Sequence, residues 1–172
     1  IRTKTMPPWH PDPAVGKFEH NGGLSSDQIR TVVHWVEAGA PRGEGDDPLA
    51  KEVRKAPDWP LGKPDLVLDV PAYTVPASGV VDYQFPAAVN PQTAARWVKA
   101  ATMLPGDRQA THHILSGYMK QFATGPASSQ MWEASYGEYA VGGESLSMPK
   151  GVGIELPAGG AMGFQMHYTP YG

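Results

Sequence analysis

The 172-residue sequence contains no cysteine. That excludes disulfides, thiolate metal ligands, a cysteine nucleophile and a c-type haem attachment motif inside the chain. Charge is scarce as well: Asp, Glu, Lys and Arg make up 18% of residues, against a usual ~25%. The formal net charge is −3, so the basic surplus that marks a nucleic-acid footprint is missing. No apolar run approaches the ~20 residues of a membrane span. The chain starts at Ile1 with no signal-peptide pattern. It reads as a processed or truncated piece of a longer protein, and the missing leader therefore carries no information about compartment. Catalytic signatures are lacking too. There is no His-Glu-x-x-His, no Gly-x-Ser-x-Gly elbow and no carboxylate pair placed for acid–base work, and Gly22-Gly23 and Gly142-Gly143 lack a phosphate-loop context.

What is abundant is glycine and proline, 20 and 18 residues, about 22% of the chain against a usual ~12%. Such content disfavours a helical bundle and favours short strands joined by many turns. Apolar residues reach 41%, enough for a packed core and too many for a disordered chain.

Four prolines within residues 7–13 forbid a helix at the start. One helix is predicted next. Ser25 and Gln28 have capping-box spacing, Ile29, Val32, Val33 and Val36 form an apolar stripe, and Gly39 and Pro41 end it. Residues 44–64 read as a linker, with a short helical stretch near Leu49–Lys55. Six strands are expected beyond it: Leu66–Val70, Val80–Phe85, Arg96–Ala101, His113–Tyr118, Val152–Leu156 and Gly163–Tyr168. The polar, glycine-rich stretch Lys120–Ser147 reads as a long loop. Short strands at this spacing predict a mainly β fold, an antiparallel β-sandwich, with a small helical N-terminal part.

Six histidines are the main candidates for chemistry. His112-His113 is an adjacent pair near a strand start, and His167 lies on another predicted strand. The three could share a metal, since imidazole suits copper, zinc, nickel or iron. By spacing alone, the more ordinary reading is a surface pair and a hydrogen-bonded core histidine. Neighbours on a strand point to opposite faces, so one metal can use both members of the pair only where the strand starts, bends or forms an edge. With no Glu or Cys beside them, a redox metal has more support than a zinc hydrolase. His34, among the helix valines, reads as structural, and His10 and His20 as solvated. The seven methionines read as packing residues. Met166 alternates with His167 and should face the other way.

In two places the sequence resembles known families. From about Asp65 onward it resembles the N-terminal half of the copper type II, ascorbate-dependent monooxygenases, the family of peptidylglycine α-hydroxylating monooxygenase and dopamine β-monooxygenase. Three features carry this in order: His112-His113-Ile114-Leu115 after Pro105-Gly106-Asp107-Arg108; Pro149-Lys150-Gly151-Val152-Gly153-Ile154; and Phe164-Gln165-Met166-His167-Tyr168. The first ~45 residues resemble the end of a bacterial c-type cytochrome domain, through Met6-Pro7-Pro8-Trp9-His10-Pro11-Asp12-Pro13 and the helix from Ile29 to Pro41. Bacterial proteins exist in which these two pieces follow one another.

The resemblance implies that His112, His113 and His167 hold the electron-transfer copper of a monooxygenase-like oxidoreductase. It also implies that Met6 is the axial ligand of a haem c whose attachment motif is absent from this chain. The dioxygen-activating copper of that family lies in a following half, on a His-x-His pair that does not occur here. The implied organisation is a cytochrome tail over residues 1–43, a linker over 44–64 and a copper-binding β-sandwich over 65–172. Its implied partners are an upstream cytochrome portion, a downstream second copper domain and a small-molecule or peptide substrate. The implied location is periplasmic or otherwise extracytoplasmic. A copper-binding electron-transfer module without oxygenase activity, and a metal-free interaction domain, stand beside this reading.

Overall fold

The computed structural model describes residues 1–3, 5–6, 11–12, 14–18, 21–47, 50, 59–143 and 145–172. The chain divides into two units, Ile1–Arg54 and Lys55–Gly172. His10, His20 and most of the helical stretch expected at Leu49–Lys55 lie outside the described residues, as does much of the expected linker.

In the first unit, helix α1 spans Ser26–Glu37. Its N-terminus closes as the sequence predicts. Gln28 N donates to Ser25 Oγ at 3.2 Å, and Ser25 N donates to Gln28 Oε1 at 2.8 Å, so two otherwise unpaired donors are satisfied. Gly39 adopts φ +86° just past the C-cap, where a residue with a Cβ is disfavoured. Ile29, Val32 and Val33 are half-buried along one stripe. His34 is exposed, which corrects the structural role expected for it: one step of 100° beyond Val33 carries it out of the stripe.

The second unit is mainly β and antiparallel. Its strands are β1 (Ala87–Val89), β2 (Arg96–Val98), β3 (Ala100–Thr102), β4 (Thr111–Met119), β5 (Ala134–Ala140), β6 (Ser145–Ser147), β7 (Ile154–Leu156) and β8 (Ala161–Tyr168). A 3-10 helix over Pro126–Met131 precedes β5. The principal sheet has the order β1-β8-β4-β5, and β2-β7 and β3-β6 form two small pairs. Strand alternation sorts the principal sheet into two faces. Ile114 and Tyr118 of β4, Met162, Phe164, Met166 and Tyr168 of β8, and Tyr136 and Tyr139 of β5 build the core on one face. Val98 and Ile154 of the β2–β7 pair pack against them, together with Leu66, Leu68 and Val70. This second layer is therefore made of short pieces and extended chain rather than a full second sheet.

The other face is closed at one end by Trp132, which packs with Ala87, Met119 and Ala161. Gly117 and Gly163 are required there: a Cβ would stand 2.4 Å from the Trp132 ring at Gly117 and 2.5 Å from its Nε1 at Gly163. The entry to β8 is fixed by Asn90, 3% exposed, whose Nδ2 donates to Pro157 O at 2.8 Å and Gly159 O at 2.7 Å.

Several expected elements differ in detail. Leu66–Val70 is extended, with alternate residues turned inward, but joins no ladder among the described residues. Val80–Phe85 contributes one bridge, Gln84 to Met166. Arg96–Ala101 is split into β2 and β3, which belong to different sheets. The long loop expected over Lys120–Ser147 is wrong: that stretch contains the 3-10 helix, β5 and β6. Its core contribution comes from tyrosines spaced by three, which breaks the alternation that marks a strand.

Candidate metal centre

The site lies where β4 begins and β8 ends. These strands pair antiparallel with Ile114 opposite Met166 and His113 opposite His167, so both imidazoles stand on the face opposite the core. Regular pairing would put His112 on the core side. It does not, because the register shifts between Thr111, opposite Tyr168, and His113, opposite His167. One step along β8 matches two along β4, which makes His112 the extra residue of a β-bulge. Bulges re-aim side chains, and this one brings His112 to the other two. The adjacent pair is thus usable because the strand bends at its start.

The three rings have centroids 4.9–5.4 Å apart in near edge-to-face pairs. One ligand atom from each residue can be chosen so that all lie within 4.8 Å of one another. His112 Nδ1 and His113 Nδ1 are 3.1 Å apart. Two nitrogen lone pairs at that distance repel unless one carries a hydrogen or both face a cation. His167 Nδ1 is buried and has no hydrogen-bond partner. Leaving such an atom unpaired costs on the order of 1–3 kcal/mol, and a metal ion is one group that would satisfy it. The residues present fit a metal ion: three neutral-capable nitrogen donors on one side, two half-buried and one exposed.

Electrostatics agree with that fit. Burial holds the His113 imidazole below its ordinary pKa, and the neighbouring His167 and His112 add to the effect, while Glu138 opposes it. A neutral imidazole is the form that ligates. Tyr83 flanks the group. Its ring stacks on His167 at 4.7 Å and 26°, and lies 5.7 Å from His113. Met166 faces the core, where Tyr168 Oη donates to its sulfur at 3.3 Å. It is packing material, as expected.

Met6, the haem-ligand candidate, belongs to the other unit and is 57% exposed. Reading the sequence missed Tyr83 and Glu138, because spacing along the chain gives no sign of cross-strand neighbours.

No family model matches this chain, and no curated protein or solved structure is significantly similar to it. Among the described residues, no helix is long and apolar enough to cross a membrane.

Proposed function

We propose that His112, His113 and His167 hold one copper ion, and that this centre carries electrons within a bacterial, extracytoplasmic, copper-dependent monooxygenase-like oxidoreductase. The observation that supports it most is the bulge at His112, which gathers three imidazoles onto one side of a sheet. An all-nitrogen set binds copper(II) more tightly than zinc in the usual affinity order. The order of motifs along the chain supplies the rest of the reading. Copper, when bound, would supply one-electron redox chemistry.

The chain's own residues have defined tasks in this reading. Strands β4 and β8 fix the His113–His167 spacing, burial lowers the pKa of His113 and so favours its neutral form, and the Tyr83 ring packs against His167. His112 is the exposed member of the three. Hydroxylation of a substrate C–H bond is assigned to the second copper half that the resemblance implies, not to these residues. A cytochrome c is the proposed electron source. The residues of the first unit do not by themselves fit a covalently attached haem, since the chain has no cysteine and Met6 is largely exposed. No step is routed through Met6.

The test is redox cycling of the copper-loaded chain, followed by electron paramagnetic resonance. The expected result is one copper(II) signal per chain that vanishes with ascorbate and returns with an oxidant. Loading below a tenth of an equivalent would overturn the proposal and favour a metal-free interaction domain.

A further inference from the structure

We infer that Asp107 and Tyr171 form a latch that positions His112: they tie the chain entering β4 to the chain leaving β8 and thereby hold the bulge in register. The functional meaning of this latch rests on the metal-centre reading; its structural content does not.

Asp107 is placed at a convergence of four hydrogen bonds. Its Oδ1 accepts from Gln109 N at 2.8 Å and from Ala110 N at 3.2 Å. Its carbonyl accepts from Thr111 N at 3.1 Å. Its Oδ2 accepts from Tyr171 Oη at 2.8 Å. The turn so formed delivers Ala110 and Thr111, both 4% exposed, into the start of β4. On the other strand, Thr169 N donates to Ala110 O at 2.8 Å, and Gly172 N donates to Ala77 O at 3.1 Å. The segment after His167 is thus bound to the segment before His112 at two places, one through backbone and one through the Tyr171–Asp107 pair.

The position of this latch gives it consequence. The bulge is bounded by Thr111 opposite Tyr168 on one side and His113 opposite His167 on the other. The His113 side is continuous with the long β4–β8 ladder and is held by it. The Thr111 side is at the end of both strands, where the Thr169–Ala110 backbone hydrogen bond and the latch hold it. Loss of the bulge flips the side chain of the extra residue toward the opposite face. The residue that would move is His112, while His113 and His167 would stay. Exposed hydrogen bonds of this kind add little to global stability, so the latch can fail without unfolding the unit.

The experiment uses the full chain and three variants: Asp107→Ala, which removes both carboxylate acceptors, Tyr171→Phe, which removes one hydroxyl only, and Lys63→Ala as a surface control. In the metal-free proteins, ring-proton nuclear Overhauser effects between the histidines are measured. The expected result is that the His112–His167 effect falls at least twofold in the first two variants. The His113–His167 effect and the unfolding midpoint should stay close to wild type. In parallel, copper(II) affinity should fall about 10–100-fold in both variants, the usual cost of removing an outer-shell support. Unchanged His112–His167 effects in both variants would overturn the latch. A wild-type protein that shows these effects but binds no copper would overturn the metal reading and leave the latch standing.

Discussion

His113 and His167 stand directly opposite each other on the antiparallel strands β4 and β8, with ring centroids 5.0 Å apart. This pairing needs no unusual backbone. The third imidazole does need one: His112 joins them only because it is the extra residue of a bulge. The site is thus two ordinary cross-strand neighbours plus one re-aimed side chain, and the predictions follow from that division.

Replacing His112 should cost binding and not folding. The side chain is exposed, and surface substitutions usually stay within about 0.5 kcal/mol. His112→Ala should therefore unfold in urea close to wild type when metal-free. Free copper at 100 times the wild-type Kd should stabilise wild type by about 2.7 kcal/mol, and the variant by much less. Equal stabilisation of both proteins would show that His112 is not a ligand.

Gly117→Ala should destabilise the second unit by about 1–3 kcal/mol, the usual cost of overpacking. The added methyl would meet the Trp132 ring at 2.4 Å, and Trp132 is packed beside Met119 and Ala161. Urea denaturation followed by tryptophan fluorescence measures this. A loss below ~0.5 kcal/mol would mean that Trp132 moves aside freely.

The Asp107–Tyr171 pair should make the latch sensitive at both ends of the pH scale. Hydrogen bonds from Tyr171, Ala110 and Gln109 hold the Asp107 carboxyl below its ordinary range. Its contribution is then present above the ordinary carboxylate pKa and is lost as pH falls through the lowered folded value. The hydrogen bond to Asp107, and the charge of that carboxylate, hold the Tyr171 phenol above its ordinary value. Its contribution is present below about pH 10 and is lost as pH rises through the raised value. Because these contributions are local, they are read in the His112–His167 nuclear Overhauser effect against pH: relative to wild type, Asp107→Asn should flatten its acid limb and Tyr171→Phe its alkaline limb. Superimposable profiles would contradict this.

The elements carrying the site were legible in the sequence because they obey simple periodicity. Phe164, Met166 and Tyr168 alternate with Gly163, Gln165 and His167, the short run from Ile114 to Tyr118 lies between turn-rich stretches, and strands are found at both places. Leu66, Leu68 and Val70 also alternate and do turn inward, but periodicity reports burial and not pairing, and they join no ladder among the described residues. Strand β5 escaped because Tyr136 and Tyr139 are three apart. A second bulge explains them: two steps from Leu115 to Gly117 match three from Glu138 back to Ser135, and Gly137 sits there at φ +108°. The histidine pair was legible as a candidate only with the condition that its strand bends. Whether it bends depends on cross-strand register, which is set by the Asp107 turn and the β8 ladder and leaves no periodic trace.

Copper titration of the chain, aerobic for copper(II) and anaerobic for copper(I), tests the central claim most directly. It should be run on wild type, His112→Ala, His113→Ala, His167→Ala and, as a control on an exposed helix position, His34→Ala. Wild type and His34→Ala should each bind one tight equivalent. Each of the three centre variants should lose more than ~100-fold in affinity, beyond the cost of losing an outer-shell support. Binding that is indifferent to the three substitutions, or no tight equivalent in wild type, would contradict the three-histidine centre.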